Sequence, residues 1–328
     1  MQINIQGLTA RLFAGPGDYH QMAALLQVLA SFDRSIPWTT AEQIASDYQH
    51  LENCEPARDL LILEDQSGQI SAYTRLFWVI NDDGSQIFKF SFNVHPNWRS
   101  PELYLALLEW AQGRAAEIAR KVPHAGRRLL QPIARNALVE TACIAAFEAQ
   151  GFQAIRFINQ MTRDLNLPIE LLPLPADLEV RPVPPDQYRA LTLAADEAFR
   201  DHWGHAPFSD EAFQQWVAGP EFKPELWKVA WDGDQIAGGI LNFYDDDSNR
   251  QLNTRRGWTD PIFTRRPWRK RGLARALIMQ SLQMFKEMGF TEAMLAVDTQ
   301  NPNGAFALYE SCGFKPFLKS VIYEKEVS

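Results

Sequence analysis

The chain has 328 residues, 46% of them hydrophobic and 22% charged, with a formal net charge of −8 at pH 7. That length predicts two domains of roughly 160 residues, and the ordinary composition excludes a disordered or fibrous chain. The negative balance argues against a general polyanion-binding role, so nucleic acid is not an expected partner.

The chain opens on Met1-Gln2-Ile3-Asn4-Ile5, with no basic region ahead of an apolar core, which does not read as a signal peptide. No apolar run approaches the ~20 residues needed to span a bilayer. Cys54, Cys143 and Cys312 are widely spaced and form no C-x-x-C pair, a pattern that suits a reducing compartment. The expectation is a soluble cytoplasmic protein with no membrane role.

A short strand is expected from Gln2 to Gly7, then a helix from Gly17 to Asp33. Thr39 and Glu42 fit a capping box that starts a second helix towards Leu51. Three strands follow between turn signals: Asp59 to Glu64, Ser71 to Ile80 and Gln86 to Val94. In the last of these Phe88, Phe90 and Phe92 alternate with polar residues, the period of a half-buried strand. A helix from Pro101 to Lys121, a strand from Arg128 to Pro132, a helix from Val139 to Gln150 and a strand from Ala154 to Arg163 complete the half.

Residues 166–177 carry Pro168, Pro173 and Pro175 and read as a stiff linker between domains 1–165 and 178–328. Beyond it the same order of elements returns. A strand is expected from Leu178 to Pro182, helices from Pro185 to His202 and from Ser209 to Val217, and strands from Trp227 to Trp231 and Gln235 to Tyr244. Asp245-Asp246-Asp247 reads as a solvated turn. A single strand from Gly257 to Arg265 then leads into a basic turn and a helix that runs to Met288. A strand from Glu292 to Val297, a helix from Pro302 to Ser311 and a strand from Leu318 to Glu324 close the half. Trp98-Arg99 and Leu103 recur as Trp268-Arg269 and Leu273 at an offset of 170 residues, and Gly151-Phe152 recurs as Gly313-Phe314 at 162, so a tandem repeat of a mixed α/β unit is expected.

The second half is organised around Pro267-Trp268-Arg269-Lys270-Arg271-Gly272-Leu273-Ala274. A glycine-bearing basic turn that opens a helix points backbone N–H groups outward, where no intrahelical carbonyl takes them. With the positive end of the helix dipole they make an anion site. Arg265 to Arg271 also holds five basic residues, which suits a nucleic-acid patch in isolation; on an acidic chain the strand–turn–helix setting favours a bound phosphate group.

Two motifs carry a resemblance. Arg269-Lys270-Arg271-Gly272-Leu273-Ala274 matches the pyrophosphate motif of the GNAT superfamily of acetyl-CoA-dependent N-acyltransferases. Asn301, with Leu308-Tyr309-Glu310 and Gly313-Phe314, matches its later motif, in the right order. The resemblance covers 178–328 well and the first half through element order and Gly151-Phe152. It implies two tandem GNAT-like domains, each a mostly antiparallel sheet flanked by helices. It also implies acetyl-CoA as co-substrate, no metal, and a small-molecule or peptide amine as acceptor. Phe263 and Thr264 are placed beside the thioester, and Arg269, Lys270, Arg271, Gly272, Leu273 and Ala274 at the pyrophosphate. Asn301 meets the cofactor arm, and Tyr309 is the general acid that protonates the departing thiolate.

Each residue has a plainer alternative. Tyr309 also suits a core position on an amphipathic helix, and Cys312 a small buried one. His202 and His205 are three apart but lack the carboxylate or Cys partners that a metal site needs; the resemblance implies instead that the loop holding them shapes the acceptor pocket. Asp260 is the candidate general base, although an Asp before Pro261 also suits a turn; Asp298 is a second choice, better suited to a structural role. In the first half Pro101, Glu102 and Phe147 stand where the second has Arg271, Gly272 and Tyr309. A proline removes a donor and an acid repels phosphate, so residues 1–165 are expected to be degenerate and non-catalytic. The expected activity is transfer of acetyl to a primary amine by direct attack, in a monomer or homodimer. The alternative is a non-catalytic acyl-CoA-binding sensor or interaction protein.

Overall fold

In the computed structural model the chain divides into two compact units. One unit is Met1–Phe157 with Leu318–Ser328, the other Ile158–Phe317. The structure describes residues 5–34, 36–81, 83–200, 202–203, 208–219, 221–301 and 304–327. The first unit contains β1 (Leu8–Leu12), α1 (Tyr19–Asp33), α2 (Ala41–Asp47), the single turn α3 (Pro56–Asp59), β2 (Leu60–Asp65), β3 (Ile70–Ile80), β4 (Gln86–Val94), α4 (Pro101–Lys121), β5 (Arg128–Ala134), α5 (Thr141–Ala149) and the start of β6 (Gln153–Asp164). The second continues through β7 (Glu179–Val180), α6 (Tyr188–Phe199), α7 (Asp210–Ala218), β8 (Lys228–Asp232), β9 (Gln235–Ile240), α8 (Asp246–Gln251), β10 (Arg256–Trp258), β11 (Ile262–Thr264), α9 (Leu273–Glu287), β12 (Glu292–Asp298) and α10 (Ala305–Ser311). From Leu318 onward β13 (Lys315–Glu326) belongs to the first unit.

In the first unit the strands lie in the order β1-β2-β3-β4-β5-β13, antiparallel except for β4 against β5. Strand β2 shows why this sheet is covered on both faces. Leu61 and Leu63 join a core with Phe88, Phe90, Phe92 and the α4 residues Leu103, Tyr104 and Leu107. Leu60 and Ile62, a period of two out of step, join Met22, Leu25 and Leu29 of α1 on the opposite side. Each fully buried aliphatic or phenyl group of this kind stabilises the unit by about 1.5–3 kcal/mol.

The second unit has two smaller sheets. One runs β6-β12-β10 and the other β11-β9-β8-β7. Helix α9 buries Leu273, Leu277, Ile278, Leu282 and Phe285, an amphipathic stripe at helical spacing. Gly257 of β10 is required by that packing: a Cβ there meets the Phe285 ring at 2.6 Å.

The class is mixed α/β, with mostly antiparallel sheets flanked by helices, as the motifs imply. Several local expectations are corrected. The first described strand is Leu8–Leu12; residues 2–4 of the expected Gln2 to Gly7 strand lie outside the described residues. The cap of α2 is Thr40 and not Thr39, because the Gln43 side chain reaches back to the Thr40 amide while Thr40 Oγ1 accepts from Gln43 N. Asp245-Asp246-Asp247 begins α8, with Asp245 accepting from Ser248 N at 2.9 Å; adjacent acids at a helix start are favoured by the dipole. The expected Gly257 to Arg265 strand is two strands in different sheets. Trp258 still pairs with Met294, and Thr259 N–H donates to the Met294 carbonyl. Pro261 has no N–H to continue that ladder, and its carbonyl accepts from Leu241 on the β9 side. From Ile262 the chain therefore pairs with β9.

Candidate active site

Between β11 and β12, which lie in different sheets, a cavity of about 560 Å³ opens in the second unit. Ile262, Phe263 and Thr264 form one wall, and Ala296, Val297 and Asp298 of β12 form the other. The basic turn closes one end. Trp268 is buried and anchors it by donating from its indole nitrogen to Asp232 at 2.9 Å. Lys270 and Gly272 then take left-handed backbones, φ 60° and 85°. Gly272 caps α9 without any side chain on the helix's first amides, and its missing Cβ faces open space. The first-turn N–H groups are thus left for an external acceptor.

The arginines of the turn divide their work. Arg269 lines the cavity but donates to the carbonyls of Thr264 and Ala198, each at 3.0 Å, tying β11 to the end of α6. Arg265 pairs with Glu197 at 2.8 Å. Arg271 is outside the lining and pairs with Asp177. Thr264 Oγ1 is buried with no hydrogen-bond partner, so the wall holds a polar atom that a ligand can satisfy.

Tyr309 of α10 lines the cavity at 8% exposure. Burial and the nearby Asp260 charge push its phenol above the usual range. Asp260 lies in the break between β10 and β11 and is half-buried. Burial lifts its carboxyl to about 7, the Glu221 charge adds to the lift, and an amide hydrogen bond from Ala296 opposes it. Asn301 follows β12, its Nδ2 3.4 Å from His202 Nε2. Asp298 accepts from the Gln300 amide at 2.9 Å, the local bond of a turn-forming Asp.

The structure thus gathers Asp260, Phe263, Thr264, Arg269, Lys270, Gly272, Leu273, Ala274, Asn301 and Tyr309 around one cavity, and leaves Arg271 out. Sequence reasoning missed Phe199 and Arg275 in the lining. Arg275 was findable, as a basic residue in the first turn of the helix that the basic turn opens; nothing local marks Phe199. It also missed a second cavity of about 400 Å³, walled by α6, the region from Phe208 to Trp227, and Leu241 and Phe243. There Trp216 and Trp227 stack with centroids 5.3 Å apart and planes 5° from parallel. Asp260 and Phe199 line both cavities.

Among the described residues no group of three or more His, Cys, Asp or Glu is placed to hold a metal ion, and no helix is long and apolar enough to cross a membrane. His205 lies outside the described residues, as do Pro302 and Asn303 of the later motif.

Residues 188–314 match the family model described as Acetyltransferase (GNAT) family. Mycothiol acetyltransferase of Thermobifida fusca is 29% identical over 252 residues, 70% of this chain and 72% of that protein. The Acidothermus cellulolyticus protein of the same name is 27% identical over 190 residues, 53% and 56% of the two chains. Among solved structures, a GCN5-related N-acetyltransferase from Sphaerobacter thermophilus superposes with a TM-score of 0.75 at 24% identity, covering 98% of this chain and 96% of that one. A tandem GNAT protein from the clavulanic acid biosynthesis pathway gives 0.68 at 16%, covering 98% of each. The structural likenesses show the tandem GNAT fold, residues 188–314 match the GNAT acetyltransferase model, and that match together with the two relatives supports an enzyme of the acyltransferase class.

Proposed function

We propose that the chain transfers the acetyl group of acetyl-CoA to a primary amine by direct attack of the amine nitrogen on the thioester carbonyl. The observation that carries this reading is the position of Asp260, a carboxylate on the shared wall of two cavities. One cavity is lined by a helix N-terminus fit for a pyrophosphate, and the same carboxylate also lines the other. The donor's pyrophosphate is assigned to the amides of Lys270 to Ala274, with Lys270 adding charge. Its acyl-bearing arm runs along Phe263 and Thr264 towards Tyr309, with Asn301 on the facing side. The residues fit the donor: the αL cap at Gly272, the uncapped first turn and the unpartnered Thr264 hydroxyl are all features a ligand completes.

The acceptor enters on the other side of Asp260. Its nitrogen gives a proton to that carboxylate, directly or through a water, and attacks the carbonyl carbon. The C–N bond forms, the C–S bond breaks, sulfur takes the Tyr309 proton, and the proton held by Asp260 returns through solvent to the Tyr309 phenolate to reset the site. A carboxyl at about 7 is poised between accepting and releasing a proton near neutrality. A phenol pushed upward keeps its proton until a thiolate demands it. The first unit has no part in this chemistry and serves as scaffold.

The test follows thiol release and acetylated product with purified chain, acetyl-CoA and a panel of primary amines. Equimolar product and thiol, lost in Tyr309→Phe while acetyl-CoA still binds, is the expected result. A Tyr309→Phe chain with unchanged kcat overturns the assigned acid, and failure to acetylate any amine overturns the reading.

A further inference from the structure

The second cavity carries information about the acceptor that the family match does not. Its described walls are aromatic: Phe199, Phe208, Trp216, Trp227 and Phe243 all face it. Phe208 meets the Trp216 ring edge-on at 6.4 Å, and Trp216 is stacked flat on Trp227. Such an assembly presents planar faces and edges, and, tryptophan apart, the hydrogen-bonding side chains of the lining are confined to Thr192 and the acidic residues.

The charges in the same lining have one sign. Asp196, Glu221 and Asp260 line the cavity, and among the described residues its lining contains no Lys, Arg or His. Asp196 also accepts from the Phe208 amide at 3.3 Å, which ties a carboxylate to the aromatic wall. An ammonium group is attracted by these carboxylates and by the ring faces together, whereas a carboxylate or phosphate on the acceptor meets only like charge. Asp260 then stands where the ammonium must shed its proton.

We propose that the acceptor is an arylalkylamine: a cationic primary amine on a flat apolar body, without an anionic group. This inference rests on the acetyl-transfer reading of the site. The aromatic body occupies the space beside Trp216 and Phe208, and the amine is directed towards Asp260.

Binding to the full chain in the presence of CoA, measured by titration calorimetry, tests it with three probes. They are 2-phenylethylamine, phenylalanine (the same body plus a carboxylate) and glucosamine (an amine on a hydroxylated body). Binding of 2-phenylethylamine should be tighter than that of either other probe by about tenfold or more, the scale of one cation–π or like-charge contact. Trp216→Ala should weaken it about tenfold, and Glu221→Gln, an exposed change that leaves the core alone, should weaken it a few-fold. Equal or tighter binding of phenylalanine or glucosamine overturns the inference, as does unchanged 2-phenylethylamine affinity in Glu221→Gln. Turnover separates the two levels. Preferential acetylation of glucosamine leaves the acetyl-transfer reading standing and sinks the arylalkylamine; CoA binding with no amine acetylated sinks the reading itself.

Discussion

Helices α4 and α9 each follow a Trp-Arg pair, and their first turns are finished in opposite ways. At α4, Ser100 caps the helix by accepting from Leu103 N at 3.3 Å, and Pro101 fills the first position. Glu102 sits in that turn, its carboxylate held below the usual range by its own amide and the Ser100 hydroxyl. The positive end of that helix has already been given an acid and a hydroxyl by its own chain. At α9 the corresponding place is a left-handed glycine with no cap and no acid. The arginines diverge too. Arg99 makes paired hydrogen bonds to Asp33, one of 2.9 Å, in a pair whose side chains are 10% and 2% exposed, whereas Arg269 reaches two carbonyls on a cavity wall. Phe147 is wholly buried among Phe92, Phe152 and Tyr323, whereas Tyr309 keeps a face on the cavity. The same local scaffold becomes a core when its polar termini are satisfied internally, and a site when they are not.

The strongest way to break this contrast is to give α9 the acid of α4. Gly272→Glu is expected to weaken acetyl-CoA binding by about 10³-fold, through repulsion of the pyrophosphate and a side chain at positive φ; calorimetric titration measures it, and affinity within a few-fold of the parent would show that the turn is not the phosphate site. Tyr309→Phe copies Phe147 into the second unit. Its kcat should fall about 10²-fold with little change in the KM for acetyl-CoA, as read from initial rates.

Asp260→Asn should lower kcat/KM by a similar or smaller factor, about 10–10²-fold at pH 7. In the parent, activity rises as Asp260 ionises through about 7; the variant should lack that rise in its pH–rate profile. The same substitution has a signature in stability. Because the folded carboxyl titrates near 7 and the unfolded one near its ordinary 3.8, the unfolded chain binds fewer protons between those values. Parent stability therefore declines as pH rises through that window. The thermal midpoint of Asp260→Asn should exceed the parent's at pH 8 and lose that advantage towards pH 4. The smallest effect belongs to the first unit: Ser100→Ala should cost about 1 kcal/mol of stability by denaturant titration and leave kcat unchanged. A large loss of activity there would contradict a scaffold role.

The turn's shape was legible because it depends on residues adjacent in the chain. A glycine that must adopt positive φ, flanked by basic residues before an amphipathic helix, is written in consecutive letters. The α2 cap was legible to within one residue, since Thr39 and Thr40 are alike and only the reach of Gln43 chooses between them. The break of one expected strand at Thr259 to Pro261 was half-legible: Pro261 announces a missing donor, but not that the chain goes on to pair with β9. The aromatic cavity was illegible. Its walls come from residues between Thr192 and Pro261, and no period or spacing records that Phe208, Trp216 and Phe243 meet. The destination of the last strand was hidden for the same reason, because alternation shows that a strand has two faces but not which neighbour it joins.

That last strand has a consequence for how the protein is made. Gln131 of β5 donates to Glu324 of β13 across 193 residues of chain, and the Tyr323 ring packs against Phe147. While residues 318–327 are still to be made, the first unit is therefore a sheet whose β5 edge is open and a core missing one of its rings. Until residues 318–327 emerge, that edge is available to any passing strand. The first unit begins before the second in the chain and is completed after it, so its vulnerability to misassembly lasts at least through translation of the second.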